Sequence, residues 1–383
     1  MTGTQTGAAK GALDGLRVLD LSRVLAGPWA GQILGDLGAE VIKVERPGRG
    51  DDTRAWGPPY LNDGQGAPTS ESAYYLSANR NKQSVTIDIT RPEGQRLVKE
   101  LVAESDVLLE NFKVGGLKRY GLDYASLAAI NPRLIYCSIT GFGQDGPYAA
   151  RAGYDFMIQG ISGLMSITGE PDRQPQKVGV AVTDVVTGLY GTIGILAAVE
   201  QRHSTGRGQH IDMSLLDCAT AMLANQAMNY LATGTSPARR GNAHPNIAPY
   251  QVVPTADGHI IIAVGNDSQF RRLCDVLSRP DLGTHPDYAT NRLRVANRDA
   301  LTPALEAETR RFSSADLLQD LEAATLPAGP INSVGEALND PQIAARGMVI
   351  DPEGVRGVRG PWRFSDAELA LDKTAPKLPE PGA

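Results

Sequence analysis

Residues 17–45 read RVLDLSRVLAGPWAGQILGDLGAEVIKVE. Arg17–Leu21 has the composition of a buried strand, and Pro28–Leu37 has helical length with a proline at its entry. Val41–Glu45 then returns to a strand pattern. Further along, Val85–Ile89, Val107–Glu110 and Leu134–Ile139 repeat the strand signal, separated by helical runs such as Pro92–Glu104. Strands that alternate with helices must pair in parallel, with helices covering both faces. The expected architecture is therefore α/β, a Rossmann-like open parallel sheet. Its first turn, SRVLAGPWAG, lacks the G-x-G-x-x-G fingerprint, so a dinucleotide cofactor is not expected.

A long helix is expected at Val185–Arg202, ending at the polar turn Ser204–Gly208, then a strand at Gln209–Met213 and a helix at Leu215–Thr233. Composition changes after that to the loop-rich TGTSPARRGNAHPNIAPY, residues 233–250. Tyr250–Pro254 and His259–Val264 flank Ala256-Asp257-Gly258, a hairpin with a D-G turn. Helical segments follow at Ser268–Leu277 and Asn297–Ala324. The chain is thus expected to carry a flexible tail over residues 1–12 and the large domain over 13–229. A smaller α+β domain would occupy 230–325, with 326–383 returning to the first.

One charge stands alone between Val178 and Val199: Asp184, in VGVAVTDVVTGLYGTIGILAAV. Burying an ionised carboxylate in apolar surroundings costs several kcal/mol unless it is paired or hydrogen-bonded. The pattern places it at the N-cap or first turn of a buried helix, where free amides and the helix dipole favour an anion. An ordinary Asp cap fits this placement; so does a nucleophile or base with amides close by. The tract is long enough to span a bilayer, but its central Asp and repeated Gly and Thr favour a buried helix.

At 383 residues, two domains are the default. A net charge of -6 with no basic block argues against a nucleic-acid partner. Cys137, Cys218 and Cys274 are widely separated and form no metal or redox pair, and the histidines form no ligand motif. No signal or transit peptide is recognisable at the start, and no membrane partner is expected. The expected location is cytoplasmic.

Open α/β sheets bind ligands at the carboxyl ends of their strands. Arg46 lies at such an end, Asn79-Arg80-Asn81-Lys82 stands just before a strand, and Glu110-Asn111-Phe112 closes another with Arg119 beyond. Arg and Lys with backbone amides hold phosphates, although each cluster alone also reads as solvated surface. The loop Thr140–Pro147, TGFGQDGP, has glycines that permit close backbone approach or form a plain turn.

These segments in order resemble the class III coenzyme A transferases, the family that also includes formyl-CoA transferase and α-methylacyl-CoA racemase. VLDLSRVLAGPWAGQILGDLGAEVIKVERPGRGD, NRNKQSVTIDI, ENFKVGGLKRYG, ITGFGQDGPY, GYDFMIQGISGLM, the TD of VAVTDVVTG and TGRGQHIDMSLLD carry the resemblance over nearly the whole chain. It implies a homodimer of ring-shaped chains threaded through each other, and no cofactor beyond the coenzyme A of the substrate. It also implies that Asp184 is the covalent nucleophile. Val24, Leu25 and Ala26 would line the coenzyme, and Arg46, Asn79, Arg80, Lys82, Asn111, Phe112 and Arg119 would hold its nucleotide and pantetheine parts. Gly141 and Phe142 would form channel wall.

Racemases of this family carry GHD where this chain has Gly153-Tyr154-Asp155. Moving a proton between faces of a carbon needs groups that titrate near working pH, and a phenol replaces imidazole poorly. Transfer of CoA from an acyl-CoA to a carboxylic acid, through an aspartyl mixed anhydride and an aspartyl-CoA thioester on Asp184, is therefore favoured over racemisation; a catalytically silent CoA-binding module is the other alternative. The loop Arg239–Asn246 reads as a solvated linker or as the recognition element for a dicarboxylic or hydroxy acid, through Arg240 and His244. The glycine run of formyl-CoA transferases is missing, and loops of this kind resemble those of succinyl-CoA-dependent members.

Overall fold

The computed structural model describes residues 11–379, so the part of the expected tail over residues 1–10 lies outside the described residues. The chain divides into one unit of Met1–Leu164, Lys177–Ala232 and Pro341–Ala383, and a second of Met165–Gln176 and Thr233–Asp340. In the first unit, β1 (Arg17–Asp20), β2 (Glu40–Glu45), β3 (Lys82–Thr86), β4 (Val107–Glu110), β5 (Ile135–Thr140) and β6 (His210–Ser214) form one six-stranded sheet. Its order is β3-β2-β1-β4-β5-β6 and every neighbouring pair is parallel. The order reverses between β1 and β4, which is where a doubly wound sheet opens a crevice at its carboxyl edge.

Successive residues of a strand point to opposite faces, so a sheet covered on both sides needs apolar residues at both. Val18, Val107 and Leu109 enter the core on one face, while Leu19 and Leu108 enter the core on the other. The first face is covered by α1 (Ala26–Asp36) and α5 (Val182–Thr205), with α2 (Ala73–Ala78), α3 (Pro92–Ala103), α4 (Asp155–Ile161) and α6 (Leu215–Met222) completing the helices used below. Gly188 lets α5 approach α1 closely: a Cβ there would sit 2.7 Å from the Ala26 carbonyl oxygen and 3.0 Å from Trp29 Cδ1. Among the described residues α5 is the one helix long and apolar enough to cross a membrane. Here its Gly188, Gly191, Ile195 and Ala198 are buried inside the unit.

Several boundaries differ from the sequence expectation. β3 begins at Lys82 rather than Val85, because Lys82 already pairs with Val41 and is buried. The helix expected over Leu215–Thr233 breaks after Met222, where Ala224 has a φ of 44°, and resumes as α7 (Ala224–Thr233). The helix expected over Asn297–Ala324 is interrupted by Ser313, whose hydroxyl accepts the Asp316 amide and caps a new start.

The second unit carries β7 (Tyr250–Pro254), β8 (His259–Ala263) and β9 (Ala328–Pro330) in the antiparallel order β9-β8-β7. Pro254 faces His259 across the D-G turn. Helices α8 (Asp267–Val276), α9 (Arg298–Thr309) and α10 (Ser314–Ala323) supply Phe270, Leu273, Leu301, Leu305, Leu317 and Leu321 to its core. β9 pairs with β8, which keeps residues 326–340 in this unit; the chain rejoins the first unit at Pro341 instead of 326.

Candidate acyl-transfer site

A cavity of about 820 Å³ opens at the carboxyl edge of the six-stranded sheet, within the usual range for a small-molecule site. The loop from β1 into α1 forms one wall through Arg23, Val24, Leu25 and Ala26. Val24 sits at a φ of 72°, a conformation that costs a β-branched residue on the order of 1–3 kcal/mol and persists only when its surroundings hold it. Asn111, at the end of β4, does much of the holding: its Oδ1 accepts the Arg23 amide (3.0 Å) and its Nδ2 donates to the Arg23 carbonyl (2.6 Å). Asp51 Oδ1 accepts the Val24 amide at 3.3 Å. α1 then starts without any side-chain cap, so the positive end of its dipole is left at the wall where Leu25 and Ala26 stand.

Arg46 and Arg49 follow β2, Lys113 and Arg119 follow β4, and Arg151 follows β5, all lining the same space. None of these cations is in an ion pair among the described residues, whereas Arg23 is paired with Asp52 at 2.7 Å. Two are supported from below by aromatic rings: Arg119 lies 4.7 Å from the Tyr120 ring centre and Arg151 4.5 Å from that of Tyr148. Unpaired guanidinium groups around one crevice suit a ligand with several negative charges. On another wall Gly141 and Gly153 approach closely: a Cβ on Gly141 would lie 2.6 Å from the Gly153 Cα.

Asp184 lies in the first turn of α5 and lines this cavity. Its carboxylate has no hydrogen bond or ion pair among the described residues. Burial, and then the nearby Asp155 carboxylate, push its pKa up to about 7. Asp155 is itself held by the start of α5: its Oδ1 accepts the Thr183 amide at 2.8 Å and the Thr183 hydroxyl at 2.6 Å. The half-buried Tyr74 phenol on α2 does not line the cavity but is near enough to feel both carboxylates. Burial, then Asp184 and Asp155, push it up to about 12, so it stays a neutral O–H donor. A carboxylate of nearly neutral pKa, left unpaired beside a cationic crevice, can act as a nucleophile or a base.

The cavity brings together Asp184, Val24, Leu25, Ala26, Arg46, Asn111, Phe112, Arg119 and Gly141. Phe142 is buried beside it, edge-on to Tyr148 at 5.5 Å, and does not line it. Asn79, Arg80 and Lys82 are not brought to the cavity, which corrects their expected place against a coenzyme. Lys82 Nζ is fully buried and donates to Asp20 Oδ2 (2.9 Å), the Pro28 carbonyl (2.8 Å) and Asn79 Oδ1 (2.9 Å), using all three protons. Asn79 in turn donates to the Tyr75 carbonyl. Arg80 grips Asp36 through two bonds of 2.9 and 2.6 Å and donates to the Val358 carbonyl. Burial lowers Lys82 to about 8. Asp20, also pushed up by burial, is drawn below its ordinary value by Lys82 and Lys43 together. These side chains are committed to joining β1, α1 and β3.

In the second unit Arg240 lines a cavity of about 790 Å³ together with Arg239, Arg298 and Arg310, and makes no ion pair among the described residues. His244 does not line it; its ring lies 5.2 Å from that of Tyr250, and Nδ1 accepts the Asn246 amide. Sequence reasoning passed over Tyr74, Arg49, Lys113 and Arg151. Nothing in SESAYYLSAN separates Tyr74 from its neighbour Tyr75, which points inward to Glu45 and Arg54.

A doubly wound sheet with a cavity at its switch point, lined by unpaired cations and by one unpaired carboxylate on a helix terminus, is a site with room and charge for an anionic ligand. The chain belongs to CoA-transferase family III, whose model matches residues 13–381. It is 54% identical over 376 residues to the succinate–glutarate CoA-transferase of Agrobacterium fabrum, covering 97% of this chain and 94% of that protein. It is 46% identical to the succinyl-CoA:glutarate CoA-transferase of Mus musculus, covering 96% and 84%. Among solved structures, a CAIB/BAIF family protein from Brucella suis superimposes with a TM-score of 0.87 at 59% identity, covering 96% of this chain and 97% of that one.

Proposed function

We propose that this enzyme moves CoA from succinyl-CoA, or a closely similar acyl-CoA, to a dicarboxylic or hydroxy acid through covalent intermediates on Asp184. The observation that carries the reading is the unpartnered Asp184 carboxylate at the cationic cavity. Its oxygen attacks the thioester carbonyl carbon; the C–S bond breaks and CoA leaves as a thiolate, giving an aspartyl mixed anhydride. The thiolate attacks the aspartyl carbonyl, expelling the donor as a carboxylate and leaving an aspartyl-CoA thioester. An acceptor carboxylate then attacks that thioester, and the released thiolate takes the acceptor's acyl carbon, restoring Asp184. Each step exchanges a carboxylate and a thiolate, so no proton, metal or redox group is consumed.

The Arg46, Arg119 and Asn111 side chains are the proposed partners of the coenzyme, with Val24, Leu25, Ala26, Phe112 and Gly141 as wall. Arg46→Ala or Arg119→Ala should raise KM for the acyl-CoA by about tenfold while leaving kcat within about twofold, the pattern for binding shared by ground and transition states. For the acceptor, Arg240 is the proposed partner of the far carboxylate, because it makes no ion pair among the described residues and lines a cavity with three other arginines; His244 would support that loop. An interlocked homodimer is proposed, supported by apolar side chains left exposed on the first unit, among them Tyr154, Phe156, Ile193, Tyr230 and Leu231. A cytoplasmic location fits the three free cysteines.

The direct test offers succinyl-CoA and acetyl-CoA against a panel of acids that includes glutarate, mesaconate and oxalate, with products read by mass. Glutaryl-CoA and free succinate are the expected products. Hydrolysis of the thioester without CoA appearing on any acid, or inversion of a 2-methylacyl-CoA instead, would contradict the proposal.

A further inference from the structure

Asp155 and Gln159 stand one turn apart on α4 and together grip the segment that leads into α5. Asp155 Oδ1 accepts the Thr183 amide and hydroxyl, at 2.8 and 2.6 Å, and Oδ2 accepts Gln159 Nε2 at 2.8 Å. Gln159 is fully buried, and its Oε1 accepts the Val178 amide at 2.9 Å. The chain from Val178 to Thr183 is therefore fixed at both ends by one helix. It needs this: the residue at the N-cap of α5 is Ala181, which has no side-chain oxygen to offer. Asp155 supplies the missing cap from another helix, and it leaves Asp184, the next residue, outside that bond.

Arg23, Arg46, Arg49, Lys113, Arg119 and Arg151 line the same cavity as Asp184 without an ion pair to it among the described residues, and the side chains packed along α5 from α1, β5, β6 and α6 are uncharged. α1 presents Trp29 to Gly188, β5 presents Cys137 and Ile139 to Gly191, and β6 presents Ile211 to Gly194. α6 presents Cys218 to Thr187. α2 presents the neutral Tyr74 phenol. Among the described residues Asp155 is the carboxylate acting on Asp184, and it raises its proton affinity. A like charge held nearby in a low-dielectric site makes a carboxylate a stronger base.

Resting on Asp184 as the nucleophile, we propose that Asp155 is a positioning residue for acyl transfer. It aims Asp184 by capping α5 in place of Ala181, and its carboxylate, held beside Asp184, keeps that nucleophile stronger than a free aspartate. Bond formation by a carboxylate slows as its basicity falls, so removing the charge should be felt even where the hydrogen bonds survive.

The test is kcat/KM against pH for wild type, Asp155→Asn and Asp155→Glu, with Asp184→Asn as control. Asn keeps an acceptor for Thr183 but loses both the charge and the bond from Gln159 Nε2, so the position of the acid limb, not the height of the profile, reports the charge. Asn should move that limb down by about one pH unit and lower the alkaline plateau by about tenfold. Glu keeps the charge on a longer arm, so its limb should stay at the wild-type position while kcat falls. An Asn profile that overlays the wild-type limb would overturn the inference, whatever its height. If Asp155→Asn does not fold, Glu decides alone: a displaced limb, or an unchanged kcat, would overturn it. An active Asp184→Asn would instead remove the nucleophile assignment, a separate failure.

Discussion

Asp184→Asn should abolish CoA exchange, by at least about a thousandfold, while binding acyl-CoA within about threefold of wild type. Asn matches the shape of Asp and lacks the ionised oxygen that forms the anhydride. The same variant should be more stable than wild type in alkaline solution. The native pKa of Asp184 is raised from 3.8 to about 7, so the folded state holds the proton more tightly than the unfolded chain. Its contribution is fully present below the unfolded pKa and is lost as pH rises through about 7. Above that point the ionised carboxylate opposes folding by on the order of 2–4 kcal/mol, which the amide does not. Thermal melts of both proteins between about pH 5 and 9 should therefore diverge as pH rises. A less stable Asn variant, or one retaining exchange within about tenfold, contradicts the account.

Lys82→Met should produce the opposite pairing of effects. The Lys82 ammonium is fully buried, with its three protons on Asp20, Pro28 and Asn79. Removing it leaves Asp20 with the Ser22 amide and hydroxyl and with Lys43 as its remaining cation, and breaking a buried pair from one side costs roughly 3–5 kcal/mol. Chemical denaturation should show that loss, while KM for acyl-CoA in the folded protein stays near wild type. A stable Lys82→Met enzyme with a raised KM would place this lysine on the coenzyme after all.

The contrast between these two residues shows what a sequence can carry. Asp184 was legible because a single charge in a long apolar tract has few physical excuses, and the structure sets it on a cavity wall. The alternation of strand and helix was legible because a sheet covered on both faces needs unbroken apolar strands. Lys82 and Arg80 misled for the converse reason: a cation next to a strand looks available until its partner is known. Here the partners, Asp20 and Asp36, lie 62 and 44 residues upstream. Asp155 stood in plain view within GYD, yet its role depends on Thr183, 28 residues on. The break at Ala224 has no proline or glycine to announce it in AMLANQAM. Local chemistry is written in the sequence; pairings made across the sheet are not.

The most direct measurement is capture of the intermediate. The enzyme would be mixed with succinyl-CoA, quenched with hydroxylamine or borohydride, digested, and read by mass spectrometry. A modification confined to Asp184, dependent on acyl-CoA and absent from Asp184→Asn, is the predicted result. Unmodified Asp184 under conditions of rapid turnover, or an adduct on any other side chain, would contradict the central claim.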